Sequence, residues 1–158
     1  MTNGTEILLV EDNPEDVEIT LRAFGKYHLA DKVHVVRDGE EALECLSRTG
    51  RYAERSVCSN TRLILLDLKL PKVDGIEVLK RCKSDPRTKN IPVVVLTSSR
   101  EERDLIDSYS LGVNSYVVKP VDFRQFTDAI RQLGLYWMFM NQLPSEMSGK
   151  GEQAIDSK

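Results

Sequence analysis

The chain has 158 residues, enough for one domain with a sizeable core, and its 41% hydrophobic and 30% charged residues are typical of a soluble globular protein. Its formal net charge of −3, without a basic arm or stripe, gives no electrostatic reason to expect a nucleic-acid partner. No apolar run is long enough to cross a bilayer, and the N-terminus lacks the features of a signal peptide. We therefore expect a cytoplasmic protein with no membrane and no nucleic-acid partner.

Short apolar runs alternate with helix-like segments, which favours a parallel sheet covered by helices on both faces. The first run, 6–10, is apolar from Ile7 onward, and Asn13-Pro14 then suit the start of a helix that Gly25 ends. The later predicted elements are, in order, a strand at 33–36, a helix after Asp38-Gly39, a strand ending at Asp67, a helix ended by Asp85-Pro86, a strand opened by Ile91-Pro92, a helix at about 101–110, a strand at 115–118 and a helix from about Phe123. These βα units predict the flavodoxin-like doubly wound α/β fold, with a five-stranded parallel sheet in the order 2-1-3-4-5 and five helices.

Residues 49–61 are polar, and we expect them to form a surface loop that is unusually long for this architecture. The three cysteines, Cys45, Cys58 and Cys82, contain no CxxC pair, and we interpret them as free thiols in a reducing cytoplasm. A reactive role for Cys58 is the less favoured interpretation. His28 and His34 have no metal-ligand spacing and are assigned no function.

Polar residues follow several of the predicted strands at their carboxyl ends. Glu11-Asp12 follow the first strand, and Asp67 follows the buried run of the third. Thr97 follows the fourth run, and Lys119-Pro120 follow the fifth. Ligands of an open parallel sheet bind in the crevice outside these strand ends. We therefore expect the acidic residues, the hydroxyl and the ammonium group to meet in one pocket.

Such a pocket suits phosphoryl chemistry with a divalent metal. Two carboxylates about 4 Å apart repel by roughly 4 kcal/mol at an effective dielectric constant near 20, so a proton or a cation must join them. Hard oxygen ligands favour Mg²⁺, with Mn²⁺ as a substitute. In this pocket Asp67 is a candidate nucleophile, Thr97 a hydroxyl donor to a phosphoryl oxygen and Lys119 a second positive charge.

Each of these residues also has a purely structural interpretation. An acidic pair such as Glu11-Asp12 is common at a helix N-terminus, an aspartate such as Asp67 follows many buried strands, and Lys119-Pro120 suits a loop. Their joint occurrence, in order and at strand ends, favours the functional interpretation.

The chain resembles the receiver domain of two-component response regulators over roughly residues 5–136. The matching segments are LLVEDN at 8–13, ILLDLKLPKVDG at 64–75, VVVLTSS at 93–99 and YVVKP at 116–120. The resemblance implies that Asp67 accepts a phosphoryl group from a phosphohistidine of a partner sensor histidine kinase. It also implies that Mg²⁺ is bound by Asp12, Asp67 and the backbone carbonyl of Lys69, with Glu11 helping.

By the same resemblance, Thr97 and Lys119 hold the phosphoryl group. Tyr116 is then an aromatic switch that swings inward as Thr97 moves toward the phosphate, so that a local charge change biases a two-state element. A protein of this kind is no conventional turnover enzyme, although it helps to catalyse its own phosphorylation and dephosphorylation.

A narrower resemblance concerns the insert at 49–61, the segment FTDAIRQLGLYWMFMNQLP at 126–144 and the expected absence of an output domain. These features are similar to the small response regulators that pair with cyanobacterial and bacterial phytochromes. The resemblance implies a light-sensing kinase, such as a bacteriophytochrome, as the partner.

The sequence divides into an expected receiver domain at 1–140 and a flexible polar tail at 141–158. The apolar cluster at 135–140 either folds back on the core or forms a dimer contact. We expect a homodimer through the face of the fourth helix, fifth strand and fifth helix, with Tyr116, Trp137 and Phe139 at the contact.

Two other functions remain open at this point. A phosphohydrolase with an aspartate nucleophile commonly needs a second acid two residues later, where this chain has Lys69, and a nucleotide enzyme is disfavoured because no GxxxxGK[ST] loop is present. A receiver-like scaffold could instead dimerise or bind a partner without being phosphorylated.

Overall fold

The computed structural model describes residues 5–55, 57–97, 100–108, 110–113, 115–119 and 123–132. The strands are β1 (Ile7–Val10), β2 (Val33–Val36), β3 (Leu63–Asp67), β4 (Val93–Thr97) and β5 (Ser115–Val118). The helices are α1 (Pro14–Gly25), α2 (Gly39–Ser47), α3 (Gly75–Ser84), α4 (Arg100–Ser108) and α5 (Phe123–Ile130). The strands form one parallel sheet in the order β2-β1-β3-β4-β5, which confirms the predicted fold.

The sheet is buried on both faces because its strands are apolar at nearly every position. Successive side chains of a strand point to opposite faces. In β1, Leu8 and Val10 therefore pack in the cluster that includes residues of α2, α3 and α4, whereas Ile7 and Leu9 pack with residues of α1 and with Phe123 of α5. Helices thus cover both faces, as the continuous apolar runs predict.

The register of the sheet brings the carboxyl ends of the central strands side by side. Val10 of β1 pairs with Leu66 of β3, so the residues that follow them, Glu11 and Asp67, are neighbours across these strands. Thr97, the last residue of β4, pairs with Val118 in the same way, directly before Lys119.

Helices α1, α2 and α3 begin at residues whose side chains cap them. The carboxamide oxygen of Asn13 accepts hydrogen bonds from the backbone N–H groups of Glu15 and Asp16, at 2.9 and 3.2 Å. Asp38 and Asp74 cap α2 and α3 by the same kind of contact. Side-chain oxygens in these positions satisfy N–H groups that have no partner inside the helix.

The cysteine interpretation is wrong for Cys45 and Cys58, which form a disulfide. The chain leaves the end of α2, passes through a short 3-10 turn (Gly50–Tyr52) and returns to the same helix, so that the two Cα atoms lie 5.8 Å apart. A separation of 13 residues carries no local sequence signal of the CxxC kind, and only the path of the chain brings the thiols together. Cys82 is free and buried.

The insert is likewise more ordered than the expected surface loop, because Tyr52 and Cys58 are both buried. The Tyr52 hydroxyl donates a hydrogen bond to Glu41 at 2.7 Å and lies 2.9 Å from Nε2 of His34. Since the hydroxyl proton is given to Glu41, Nε2 of His34 must be the donor in the second contact. The insert is therefore attached to both α2 and β2.

None of the helices in the described ranges has the combination of length and apolar character that a bilayer crossing requires.

Candidate functional site

Glu11, Asp12 and Asp67 come together at the carboxyl ends of β1 and β3, as expected. One carboxylate oxygen from each residue lies within 4.8 Å of the others. Glu11 and Asp67 are buried, with 0% and 6% of their surface exposed, whereas Asp12 is exposed. The result is an acidic cluster with one wall in the protein interior and one side open to solvent.

Lys119 lies against this cluster and reaches it from β5. Its Nζ is 3.0 Å from Oε1 of Glu11 and 3.4 Å from Oδ2 of Asp67. The shortest of its ion pairs, 2.9 Å, is with Asp16. Asp16 was not a sequence candidate, because an acid in the first turn of a helix is ordinarily explained by the helix dipole.

The electrostatics of the cluster show an excess of negative charge. The pKa of Glu11 is raised to about 8, chiefly by burial and next by the charge of Asp67, and Lys119 only partly offsets these two effects. Burial alone would lower the pKa of Lys119, but its hydrogen bond with Asp16 and the charges of Glu11 and Asp67 raise it above its ordinary value.

One ammonium group thus does not neutralise the carboxylates, and the arrangement favours an added proton or cation. A small set of hard carboxylate oxygens, one of them open to solvent, fits a divalent ion that keeps part of its water shell. The composition of the cluster agrees with the expected metal ligands Glu11, Asp12 and Asp67. For Lys69, the backbone N–H donates to Oδ1 of Asp67 at 3.3 Å, which holds the chain after β3 close to the cluster.

Thr97 lies at the same edge of the sheet, and its backbone carbonyl accepts a hydrogen bond of 2.7 Å from the N–H of Lys119. Its hydroxyl donates to Oε1 of Glu102 in α4, at 2.6 Å. The other oxygen of Glu102 lies 3.5 Å from Nζ of Lys69. Glu102 was not a sequence candidate, because one acid in the charged helix α4 could not be told from the others.

Tyr116 also contacts α4. Its hydroxyl donates to Oδ1 of Asp107 at 2.7 Å, in an exposed position. The two residues expected to act as a switch, Thr97 and Tyr116, are therefore both hydrogen-bonded to carboxylates of the same helix. Trp137 and Phe139, expected at a dimer contact, lie outside the described residues, as does Pro120.

The sequence model of the response regulator receiver domain family matches residues 7–131 of this chain. The chain belongs to the response regulator receiver family.

Several relatives cover nearly the whole receiver. The probable methanogenesis regulatory protein FilR2 of Methanothrix harundinacea is 42% identical over 87% of this chain and 86% of its own length. The crystal structure of the phosphorylated cyanobacterial phytochrome response regulator RcpA is 42% identical, with a TM-score of 0.77, over 90% of this chain and 99% of that one. The bacteriophytochrome response regulator AtBRR is 54% identical, with a TM-score of 0.70, over 89% of this chain and 100% of that one.

Proposed function

We propose that this receiver accepts a phosphoryl group on Asp67 from a phosphohistidine of a sensor histidine kinase, as a step of a two-component phosphorelay. One observation carries the assignment: Asp67 is a nearly buried carboxylate that touches both Lys119 and an acidic cluster of metal-ligand composition. A carboxylate so placed has a cationic group ready for the incoming phosphoryl oxygens. Its position at the carboxyl end of a central strand is where this fold binds ligands.

In the transfer, an Asp67 oxygen forms a bond to phosphorus while the bond from phosphorus to the kinase imidazole breaks. Lys119 exchanges its ion pair with Asp67 for one with a phosphoryl oxygen and keeps Asp16 as an anchor. Mg²⁺, or Mn²⁺ in its place, would be held by Glu11, Asp12, Asp67 and the carbonyl of Lys69 and would neutralise charge on the phosphoryl oxygens. The same groups would also assist a water molecule that later attacks the phosphoryl group, so that the domain assists its own dephosphorylation.

The signal then passes through α4. The phosphoryl group offers the Thr97 hydroxyl a second charged acceptor, which competes with the carboxylate of Glu102 for its proton. Once the Thr97 hydroxyl leaves Glu102, α4 loses one of its contacts with the sheet edge. Tyr116 can then break its bond to Asp107 and move inward, which changes the surface formed by α4 and β5.

We infer that this surface is where the domain forms a homodimer. Leu105 of α4 and Val118 of β5 are large apolar residues that are 45% and 49% exposed, and Tyr116 of β5 is hydrogen-bonded to Asp107 of α4. Exposed apolar surface is typical of interaction sites. We place Trp137 and Phe139 at the same contact, within a receiver at 1–140 that precedes the tail at 141–158.

The kinase that we propose is a phytochrome-type light sensor in the cytoplasm. RcpA and AtBRR are phytochrome response regulators, and AtBRR shares 54% of its residues with this chain. FilR2, named as a methanogenesis regulator, is 42% identical, so the choice of kinase must be measured directly. We expect the rate of phosphotransfer from a purified phytochrome kinase to exceed the rate from an unrelated histidine kinase.

The first test of phosphorylation uses acetyl phosphate with Mg²⁺ and intact-mass measurement. We expect one added phosphoryl group, lost in Asp67→Asn and on removal of Mg²⁺. Asp74→Asn serves as the matched control, because this aspartate caps α3 outside the acidic cluster. If neither phosphorylation nor beryllofluoride binding is observed for the folded protein, the chain is better described as a scaffold that dimerises without phosphorylation.

A further inference from the structure

The disulfide of Cys45 and Cys58 lies beside a cavity of about 430 Å³. The cavity wall includes Arg62 and Pro92, which directly precede β3 and β4, so it lies at the amino ends of the strands, opposite the acidic cluster. Cys58 lines the cavity, whereas Cys45 is fully buried. A molecule in the cavity therefore approaches the disulfide from the Cys58 side.

The wall of the cavity is positively charged. The charged residues that line it in the described part of the chain are all arginines: Arg48, Arg62 and Arg87. Arg87 is paired with Asp85 at 3.0 Å, and Arg62 lies 4.0 Å from Glu6. Arg48 is exposed at the end of α2 and forms no salt bridge with another described residue. The guanidinium groups thus outweigh the acids near the cavity and can attract an anion.

We propose that this cavity admits a small anionic thiol, one that carries a carboxylate, and that Cys58 is its site of thiol–disulfide exchange. The thiolate attacks Sγ of Cys58, a new S–S bond forms, and the bond to Cys45 breaks. Cys45 leaves as a thiolate and takes up a proton. A second small thiol then attacks the mixed disulfide, so that two small thiols are oxidised to one disulfide and both cysteines become thiols.

The positive charge of the cavity wall favours an anionic thiol, and the exposure of the two sulfur atoms decides which of them is attacked. The attacking species is a thiolate, and a nearby carboxylate adds a second negative charge that guanidinium groups bind well. Cys45 has no exposed surface, so a direct attack on it is blocked. Cys58 is 7% exposed at the cavity wall and is the sulfur within reach.

The exchange would change how the insert is attached. The disulfide is the covalent tie between α2 and the segment that leads into β3. Without it, the insert is held by noncovalent contacts, such as the 2.7 Å hydrogen bond from Tyr52 to Glu41 and the 2.8 Å ion pair of Arg51 with Glu44. Disulfides of cytosolic proteins are commonly transient and redox-sensing, which fits a tie that a small thiol can open.

The test measures exchange rates of the oxidised full-length protein with three small thiols: mercaptopropionate (anionic), mercaptoethanol (neutral) and cysteamine (cationic). Rates are compared at equal thiolate concentration after quenching with iodoacetamide, and each is divided by the rate of the same thiol with a small uncharged disulfide, because the nucleophilicity of a thiolate rises with its pKa. The first adduct is located by peptide mass. Two unit charges 4 Å apart in water change a rate by about fivefold, so mercaptopropionate should react at least that much faster than mercaptoethanol, and cysteamine slowest. The first adduct is expected on Cys58.

Arg48→Gln should reduce the preference for the anionic thiol, whereas Arg22→Gln, which removes the same charge from α1, should leave it unchanged. In the wild-type protein, about 1 M salt should also remove the preference, because the screening length falls to about 3 Å. Equal rates for the anionic and neutral thiols at low salt would overturn the proposal. So would a first adduct on Cys45, or failure of the disulfide to form under mild oxidation.

Discussion

At the scale of single residues, the carboxylates of the acidic cluster repel one another, and the same carboxylates can bind a cation. Glu11, Asp12 and Asp67 bring their carboxyl groups to one point, and the pKa of Glu11 is raised to about 8, first by burial and then by the charge of Asp67. When only protons occupy the cluster, it lowers the stability of the folded protein. A cation that binds there stabilises the folded protein. The same residues therefore make the domain sensitive to divalent metal before any phosphoryl group arrives.

Mg²⁺ should stabilise the folded protein in proportion to its affinity for the cluster. At a Mg²⁺ concentration about 100 times Kd, the free energy of unfolding should rise by about 2.7 kcal/mol, since the ion binds only the folded state. Asp12→Asn should lose most of this gain, because Asp12 supplies the open side of the cluster. Thermal unfolding with and without Mg²⁺ checks the effect. Asp31→Asn, outside the cluster, is the control and should respond to Mg²⁺ like the wild type.

Glu102 should restrain the Thr97 hydroxyl in the unphosphorylated state. A hydrogen bond to a charged group contributes about 1.5–3 kcal/mol, so Glu102→Ala should favour the phosphorylated arrangement by about tenfold to a hundredfold. Beryllofluoride titration measures this as a lower apparent Kd. Glu101→Ala, at the exposed neighbour in α4, should have no such effect. A Kd unchanged in Glu102→Ala would mean that the 2.6 Å contact does not oppose activation.

At the scale of elements, the approach of α3 to β3 positions the phosphoryl acceptor. A Cβ atom at Gly75 would lie 2.5 Å from the carbonyl oxygen of Asp67 and 2.6 Å from Cα of Leu68, so only glycine lets the helix begin this close to the strand end. The 2.9 Å hydrogen bond from the N–H of Gly75 to the carbonyl of Leu68 depends on the same approach. The backbone that carries Asp67 is thus supported directly by the first residue of α3.

Gly75→Ala should therefore destabilise the protein by about 1–3 kcal/mol, because backbone atoms must shift to admit the methyl group. It should also slow phosphorylation of Asp67 by moving the strand end. Gly25→Ala is the matched control, since its Cβ would meet only Cβ of Ala30 at 3.9 Å. Chemical denaturation and the acetyl phosphate reaction provide the two measurements, and equal stability of the two variants would contradict the explanation.

At the scale of the whole molecule, the outlet that we propose for a signal is the surface of α4 and β5. Thr97 and Tyr116, which we propose as the switch, are hydrogen-bonded to Glu102 and Asp107 of α4. The exposed Leu105 and Val118 lie on α4 and β5. A charge change at Asp67 can therefore reach an apolar surface without any contact between that surface and the phosphoryl group. This supports the α4–β5 surface as the proposed dimer contact.

The dimer prediction can be tested with Trp137→Ala and Phe139→Ala combined. We expect the dimer dissociation constant, measured by sedimentation, to rise at least about tenfold, since buried aromatic residues dominate most interfaces. Leu21→Ala on α1, outside the proposed contact, is the control. An unchanged dissociation constant in the double variant would remove these aromatic residues from the interface.

Most of the fold, and the main residues of the site, followed from local patterns in the sequence. Uninterrupted apolar runs specify strands buried on both faces, and parallel strands place their carboxyl ends at one edge. Glu11, Asp67, Thr97 and Lys119 could therefore be grouped although they are far apart in the chain. The helix starts at Asn13 and Asp38 were readable for the same reason, because capping depends on residues that are adjacent in sequence.

The remaining features were decided by the tertiary structure. Asp16, Glu102 and Asp107 look like ordinary surface acids in sequence, and only helix packing brings them to Lys119, Thr97 and Tyr116. The disulfide was missed for a related reason, since nothing local shows that the insert returns to α2. Sequence by itself determined the elements and the strand-end residues, because both depend on neighbours along the chain. The partners of those residues depend on distances between segments, and those distances exist only once the sheet and its helices have packed.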